Sequence, residues 1–159
     1  MKFILVDRLL SVEPARSIKM AKQVSMAEEY LADHFPRFPV LPGVLMLEAA
    51  VQAAAWVVRE WDQFHHSVIV LRGVWGIRYG AFVEPGATLV VQADVIKLES
   101  GKSEFKIRGT VSDAVAIQGR IELAHLNLTD QDAGLAAVDG AMVAAMRSQW
   151  HELSRRLGV

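Results

Sequence analysis

Asp33-His34-Phe35-Pro36-Arg37-Phe38-Pro39-Val40-Leu41-Pro42-Gly43-Val44-Leu45-Met46-Leu47-Glu48 joins a loop with three prolines to the start of an apolar helix. Each proline fixes its own φ and biases the residue before it toward extended backbone, so this loop is restricted. Helical spacing begins at Gly43 and continues to about Trp61, with apolar residues on all sides. A helix apolar all round is one that other elements bury. Two residues stand out against that background: His34 in the loop, and Glu48 as a carboxylate among apolar neighbours.

Around the helix the chain reads mainly as strand. Phe3 to Val12 and Ser17 to Val24 suggest a strand pair about the Glu13-Pro14-Ala15 turn. Ser25 with Glu28 has the form of a capping box for a short helix through Tyr30. Ser67 to Tyr79 is rich in β-formers, with Gly73 and Gly76 marking a bend or bulge. After the Glu84-Pro85-Gly86 turn, Thr88 to Leu98, Lys102 to Val111 and Val115 to Leu128 read as an antiparallel meander with short connections. One buried helix wrapped by an antiparallel sheet is an α+β arrangement. The expected organisation is a domain over 1–128, then a linker and C-terminal helix over 129–159. Asp139 is the expected cap of that helix, and Met142, Met146, Trp150, Leu153 and Leu157 its apolar stripe.

The bulk numbers narrow the function. At 159 residues, 52% hydrophobic and 22% charged, the chain has enough apolar content for one packed core. A net charge of -1 gives no global basic field for nucleic acid. The absence of cysteine excludes disulfides, thiol catalysis and Cys-ligated metal, and suits the cytoplasm. Asp7 and Arg8 interrupt the apolar N-terminus before an export signal forms. Pro42, Glu48 and Gln52 make Val40 to Val58 a core helix, not a membrane span. Asp62, His65 and His66 lack a further ligand at metal spacing, so no metal is expected.

The loop–helix junction carries proton-transfer chemistry. A neutral imidazole accepts a proton near neutral pH, and a carboxyl group desolvated among apolar side chains holds its proton to higher pH. Such a base and acid together are equipped to eliminate water from a carbonyl compound. Gln52, one turn after Glu48, is placed to hydrogen-bond it. Gly43 opens the helix, where unpaired N–H groups and the positive dipole end polarise a carbonyl.

The string His34-Phe35-Pro36-x-x-Pro39-Val40-x-Pro42-Gly43-Val44-Leu45-x-x-Glu48-Ala49-x-x-Gln52 resembles the signature of the 3-hydroxyacyl-[acyl-carrier-protein] dehydratases, enzymes of the hot-dog fold. The likeness extends from Val6-Asp7-Arg8 through Phe82-x-x-Pro85-Gly86 to about Leu128. It implies that His34 removes the α-proton of a 3-hydroxyacyl thioester and that Glu48 protonates the departing hydroxyl. It also implies that Gly43 binds the thioester carbonyl, Gln52 supports the acid, and Phe35, Val40 and Pro42 adjoin the substrate. The glutamate resembles the branch that only dehydrates. By the same resemblance the partner is an acyl carrier protein bearing a phosphopantetheine arm, no cofactor is needed, and the catalytic unit is at least a homodimer, with hexamers known as trimers of dimers. Fatty acid, polyketide and polyene-type synthesis are all admissible. Asp33 and Arg37 stand where the family often has glycine, and the C-terminal helix is outside its short form. Arg72, Arg78, Lys97, Lys102, Lys106 and Arg108 are candidates for a carrier-docking patch. Two rival readings are a hot-dog thioesterase, with Glu48 activating water, and a catalytically silent acyl-carrier-binding subunit.

Overall fold

The alternation of inward and outward residues in the second half of the chain builds three long strands, and the helix that precedes them lies against their inner face. A computed structural model describes residues 3–155 and 157. Its elements are β1 (Arg8–Glu13), β2 (Ser17–Gln23), α1 (Gly43–Trp61), β3 (Val68–Tyr79), β4 (Thr88–Glu99), β5 (Lys102–Val111), β6 (Ala114–Leu126) and α2 (Ala136–Arg155). Short 3-10 turns span Glu29–Ala32, Leu128–Asp130 and Ala133–Leu135. One six-stranded sheet runs in the order β1-β2-β4-β5-β6-β3, every pairing antiparallel. The sheet wraps α1, as in the hot-dog fold expected from the sequence.

The core sits between the sheet and α1. Leu89, Val91 and Ala93 of β4, Phe105 and Ile107 of β5, and Ile117, Ile121 and Leu123 of β6 are fully buried against it. Burying each larger side chain stabilises the fold by roughly 1.5–3 kcal/mol. From α1, Ala49, Ala50 and every residue from Ala53 to Val58 are buried, which is why that helix is apolar on nearly every side. Register shifts in the β3–β6 pairing flank Gly73 and Gly76, where the sequence marks a bulge. Gly76 needs its freedom, with φ at 59°.

Several boundaries differ from the sequence reading. β1 begins at Arg8, not Phe3. The intervening backbone is claimed by α1: Leu5 N–H donates to Gln52 Oε1 (2.9 Å) and Gln52 Nε2 donates to the Phe3 carbonyl (3.1 Å). Ser25 does not cap a helix there, since the 3-10 turn starts at Glu29 with Glu28 as its cap. The Glu28 carboxylate does reach back to Ser25 N–H (2.9 Å), but it also accepts from Lys22 Nζ (2.9 Å) and from the Tyr30 hydroxyl.

Asp139 is likewise not a cap, because α2 has already begun at Ala136. The carboxylate is buried and accepts from the Ser67 hydroxyl, from Leu128 N–H (3.0 Å), and from Thr129 N–H (3.0 Å) and Oγ1 (2.9 Å). Desolvation pushes this carboxyl up, yet the hydrogen bonds from Ser67, Thr129 and Leu128 outweigh it and hold the pKa at about 2. Asp139 therefore fastens α2 to the segment entering β3 and to the segment leaving β6. The stripe that packs on the core is Val143, Met146, Trp150, Leu153 and Leu157, so Val143 replaces the expected Met142. Trp150 stacks on Trp56 of α1, with ring centroids 5.4 Å apart.

Candidate active site

The loop before α1 is pinned at both ends. His34 N–H donates to the Tyr30 carbonyl (3.1 Å) and Val40 N–H to the His34 carbonyl (2.9 Å), with Phe35 and Phe38 exchanging backbone hydrogen bonds between them. The His34–Phe35 peptide is cis. His34 Nδ1 lies 3.0 Å from the Val40 carbonyl oxygen. A carbonyl only accepts, so Nδ1 carries the proton and the neutral ring keeps its lone pair on Nε2. Val40 itself is buried and Leu41 N–H is tied to the Val83 carbonyl (2.8 Å), so the ring is aimed by anchored backbone.

His34 lines a cavity of about 510 Å³ with Phe35, Val40, Pro42, Gly43 and Tyr79. Pro42 is the N-cap of α1. The first N–H groups of the helix, Gly43's among them, have no partner in the preceding turn. An acyl carbonyl in this cavity would meet the helix's positive end and a base together. The rim is apolar and exposed, with Val44 at 68%, Phe82 at 63% and Tyr79 at 52% exposure.

Glu48 and Gln52 lie elsewhere. They line a separate cavity of about 210 Å³ together with Trp56, Arg59, Met146 and Gln149, and the two cavities share no lining residue. Gln52 Nε2 donates to Glu48 Oε1 (2.9 Å), the contact expected from their spacing. Five of the seven sequence-derived site residues thus gather around His34 and two around Glu48. Within one chain, the imidazole and the carboxylate do not meet.

Tyr79 and Arg59 were not singled out as site residues by sequence reasoning. Tyr79 ends a strand some 36 positions after Gly43, and only the sheet's curl brings it there. Arg59 reads as the polar close of α1, yet it lines the Glu48 cavity from the same face of the helix. Of the six candidate docking cations, Arg78, Lys106 and Arg108 gather in a cavity of about 520 Å³ on the sheet face away from α1. Arg120 and Trp75 join them there. The other three are paired, Arg72 with Glu122 (3.3 Å) and Lys97 and Lys102 with Glu99 (2.9 and 3.7 Å).

Asp62, His66 and His125 form a second polar cluster. His66 Nδ1 meets Asp62 Oδ2 (2.7 Å), and His125 Nε2 meets the buried Ser103 hydroxyl (2.8 Å). Burial, aided by His66, lowers His125 to about 4. Among the described residues, no group of three or more candidate ligands is placed to hold a metal, and no helix is long and apolar enough to cross a membrane.

Comparison with known proteins agrees with this architecture. The family model described as ApeI-like, ApeI dehydratase, matches residues 11–120. The 3-hydroxyacyl-[acyl-carrier-protein] dehydratase FabZ of Albidiferax ferrireducens is 36% identical over 125 residues, covering 77% of this chain and 83% of its own. That of Ralstonia nicotianae is 38% identical over 121 residues, covering 74% of each. Among solved structures, the dehydratase heterocomplex ApeI:P from Xenorhabdus doucetiae superposes with a TM-score of 0.68 at 18% identity, over 84% of this chain and 90% of that one. An uncharacterized protein from Pyrococcus horikoshii gives 0.59 at 17% identity, over 82% and 91%, a likeness of fold. By family model, relatives and fold alike, the chain belongs to the hot-dog dehydratases, as an ApeI-like member related to the 3-hydroxyacyl-[acyl-carrier-protein] dehydratases.

Proposed function

We propose that this protein is a cytoplasmic 3-hydroxyacyl-[acyl-carrier-protein] dehydratase whose sites form between two copies of the chain. Its curated relatives carry that activity in their names. His34 Nε2 removes a C2 proton from the 3-hydroxyacyl thioester. Negative charge moves onto the thioester oxygen, which the Gly43 N–H stabilises. Charge returns to form the C2–C3 double bond as the C3–O bond breaks, and Glu48 delivers its proton to the departing hydroxyl. The products are the trans-2-enoyl thioester and water. Gln52 holds the Glu48 carboxyl in position. Proton return from His34 to Glu48 resets the site.

The observation that carries this reading is the Val40 carbonyl on His34 Nδ1, since it selects the tautomer a base requires. The separation of His34 and Glu48 into two cavities supports a site completed by a second protomer. So does β3, a twelve-residue edge strand with Val70, Leu71, Val74 and Trp75 exposed. A long apolar edge is ready to pair with another strand. For the acyl carrier, the cluster of Arg78, Lys106, Arg108 and Arg120 offers a basic face to an acidic protein.

The test is subunit complementation. His34→Ala and Glu48→Ala are each expected to lose about 10²–10⁴-fold in enoyl formation. Mixed after unfolding and refolding together, they regain activity, because a hybrid dimer contains one site with both groups. No recovery would place the pair within one chain, and release of free thiol from substrate by the parent would make it a thioesterase.

A further inference from the structure

The Glu48 cavity runs along one stripe of α1, where Glu48, Gln52, Trp56 and Arg59 follow at one-turn steps. Eleven residues of helix rise about 16 Å, so the acid and the guanidinium belong to opposite ends of the groove. The wall facing this stripe comes partly from α2, through Met146 and Gln149. Both lie outside the residues that the family model matches.

At the far end the Arg59 guanidinium feels the charge of Asp62 but makes no contact-distance ion pair among the described residues. Its buried Nε has no hydrogen-bond partner. Desolvation lowers the guanidinium to about 10, with the charge of Asp62 opposing the shift. The Trp56 ring supports it at 5.2 Å, and Trp150 stacks behind that ring. A guanidinium only donates hydrogen bonds, so what its buried Nε lacks is an acceptor. A carboxylate is the strongest such acceptor, because the bond is then charge-assisted and has a planar, two-pronged match.

We propose that this cavity receives the distal end of the acyl chain, and that Arg59 selects chains ending in a carboxylate. The proposal rests on Glu48 acting at the 3-hydroxyl, as read above. A chain entering past Glu48 follows the stripe of α1 beneath Met146 and Gln149, and its terminus arrives at Arg59. Methyl-ended chains of equal length leave the guanidinium without an acceptor and gain less from the same groove. The α2 helix would then be a specificity element, its residues 146 and 149 setting the width of the groove.

The test uses the full-length protein with length-matched 3-hydroxyacyl pantetheine thioesters ending in methyl, methyl ester or carboxylate. The expected result is a kcat/KM at least tenfold higher for the carboxylate at the best length, with the ester between. Arg59→Met is expected to reduce the carboxylate-to-methyl ratio by tenfold or more, and Arg59→Lys to keep part of it. Met146→Trp, which narrows the groove from α2 and leaves the cation in place, is expected to shorten the preferred chain. If the parent dehydrates methyl-ended chains as well as or better than carboxylate-ended ones, the selection by Arg59 is overturned while the dehydratase reading stands. An unchanged ratio in Arg59→Met overturns it equally. If the parent forms no enoyl product from any of the three, the dehydratase reading itself fails.

Discussion

The Tyr79 ring fills the space that a side chain on residue 43 would need: a Cβ built on Gly43 falls 2.9 Å from Tyr79 Cε1. The first residue of α1 and the last of β3 are thus fitted to each other across the His34 cavity. Gly43→Ala keeps the N–H but forces the ring aside, and the proposed carbonyl subsite with it. The expected cost in kcat/KM is about tenfold, below the ~10²–10³ seen when an oxyanion donor is removed outright. Steady-state kinetics of Gly43→Ala and of Gly43→Ala/Tyr79→Ala check this. The double variant should recover part of the loss, because the clash is gone.

Gln52 spends its amide on two tasks. It orients Glu48 and it ties down the segment ahead of β1 through Leu5 and Phe3. Gln52→Leu preserves size and removes all three hydrogen bonds. A stability loss of about 2 kcal/mol is expected, from a net value of roughly 0.5–1.5 kcal/mol per bond. A urea titration should show a lower midpoint with unchanged slope, and kcat should fall with it. Unchanged stability would mean that the N-terminal segment is held some other way.

Asp139 makes the docking of α2 sensitive to acid. Its carboxyl titrates at about 2 in the folded protein, against 3.8 as the ordinary value. A group with a depressed folded pKa stabilises the fold fully above its unfolded pKa, and that contribution drains away as pH falls toward the folded value. Melting temperature should therefore fall between about pH 4 and pH 2 more steeply in the parent than in Asp139→Asn. At pH 7 the variant should melt lower, because the donors of Ser67, Leu128 and Thr129 lose a charged acceptor. Parallel curves for the two proteins would remove Asp139 from this role.

The β3 edge is the expected seam between protomers. Val74→Asp puts a charge in the middle of its exposed apolar row. Size-exclusion chromatography with light scattering should show the parent as a dimer or larger and the variant shifted toward monomer. Dehydration should be lost in proportion if, as proposed, each site is completed by both protomers. A variant that stays dimeric and active would move the interface off this strand.

Much of this fold is legible in the amino-acid order because the signals are strong and local. The helix bounds Gly43 and Trp61 emerge from Pro42 before it and from the return of charge after it. The three meander strands follow from alternation and from turns at Ser100-Gly101 and Ser112-Asp113, with Ser112, Asp113 and Gly101 all at positive φ. What escaped reading depends on partners distant in sequence. Phe3 to Val6 is an apolar run that reads like a strand, but Leu5 N–H and the Phe3 carbonyl are taken up by a glutamine 47 residues from Leu5. Asp139 has the composition of a cap, yet its donors come from Ser67, Leu128 and Thr129, which no local pattern announces. Tyr79 and Arg59 belong to cavities whose walls come from several elements, and spacing along one element cannot reveal them.

The strand order has a kinetic consequence. β4, β5 and β6 are consecutive in sequence and adjacent in the sheet, so they can form as a meander from short loop closures. Both edges must then be completed by earlier parts of the chain: β2 joins β4, and β3 joins β6 across the whole meander. Non-local pairings of this kind slow folding. Since α1 lies between β2 and β3 in the chain, the two edges and the helix close over the meander late and together. The strand proposed to meet the second protomer is among these late arrivals, so assembly competes with an exposed, half-finished edge. Refolding yield should therefore depend on protein concentration, passing through an optimum set by productive pairing on one side and aggregation on the other.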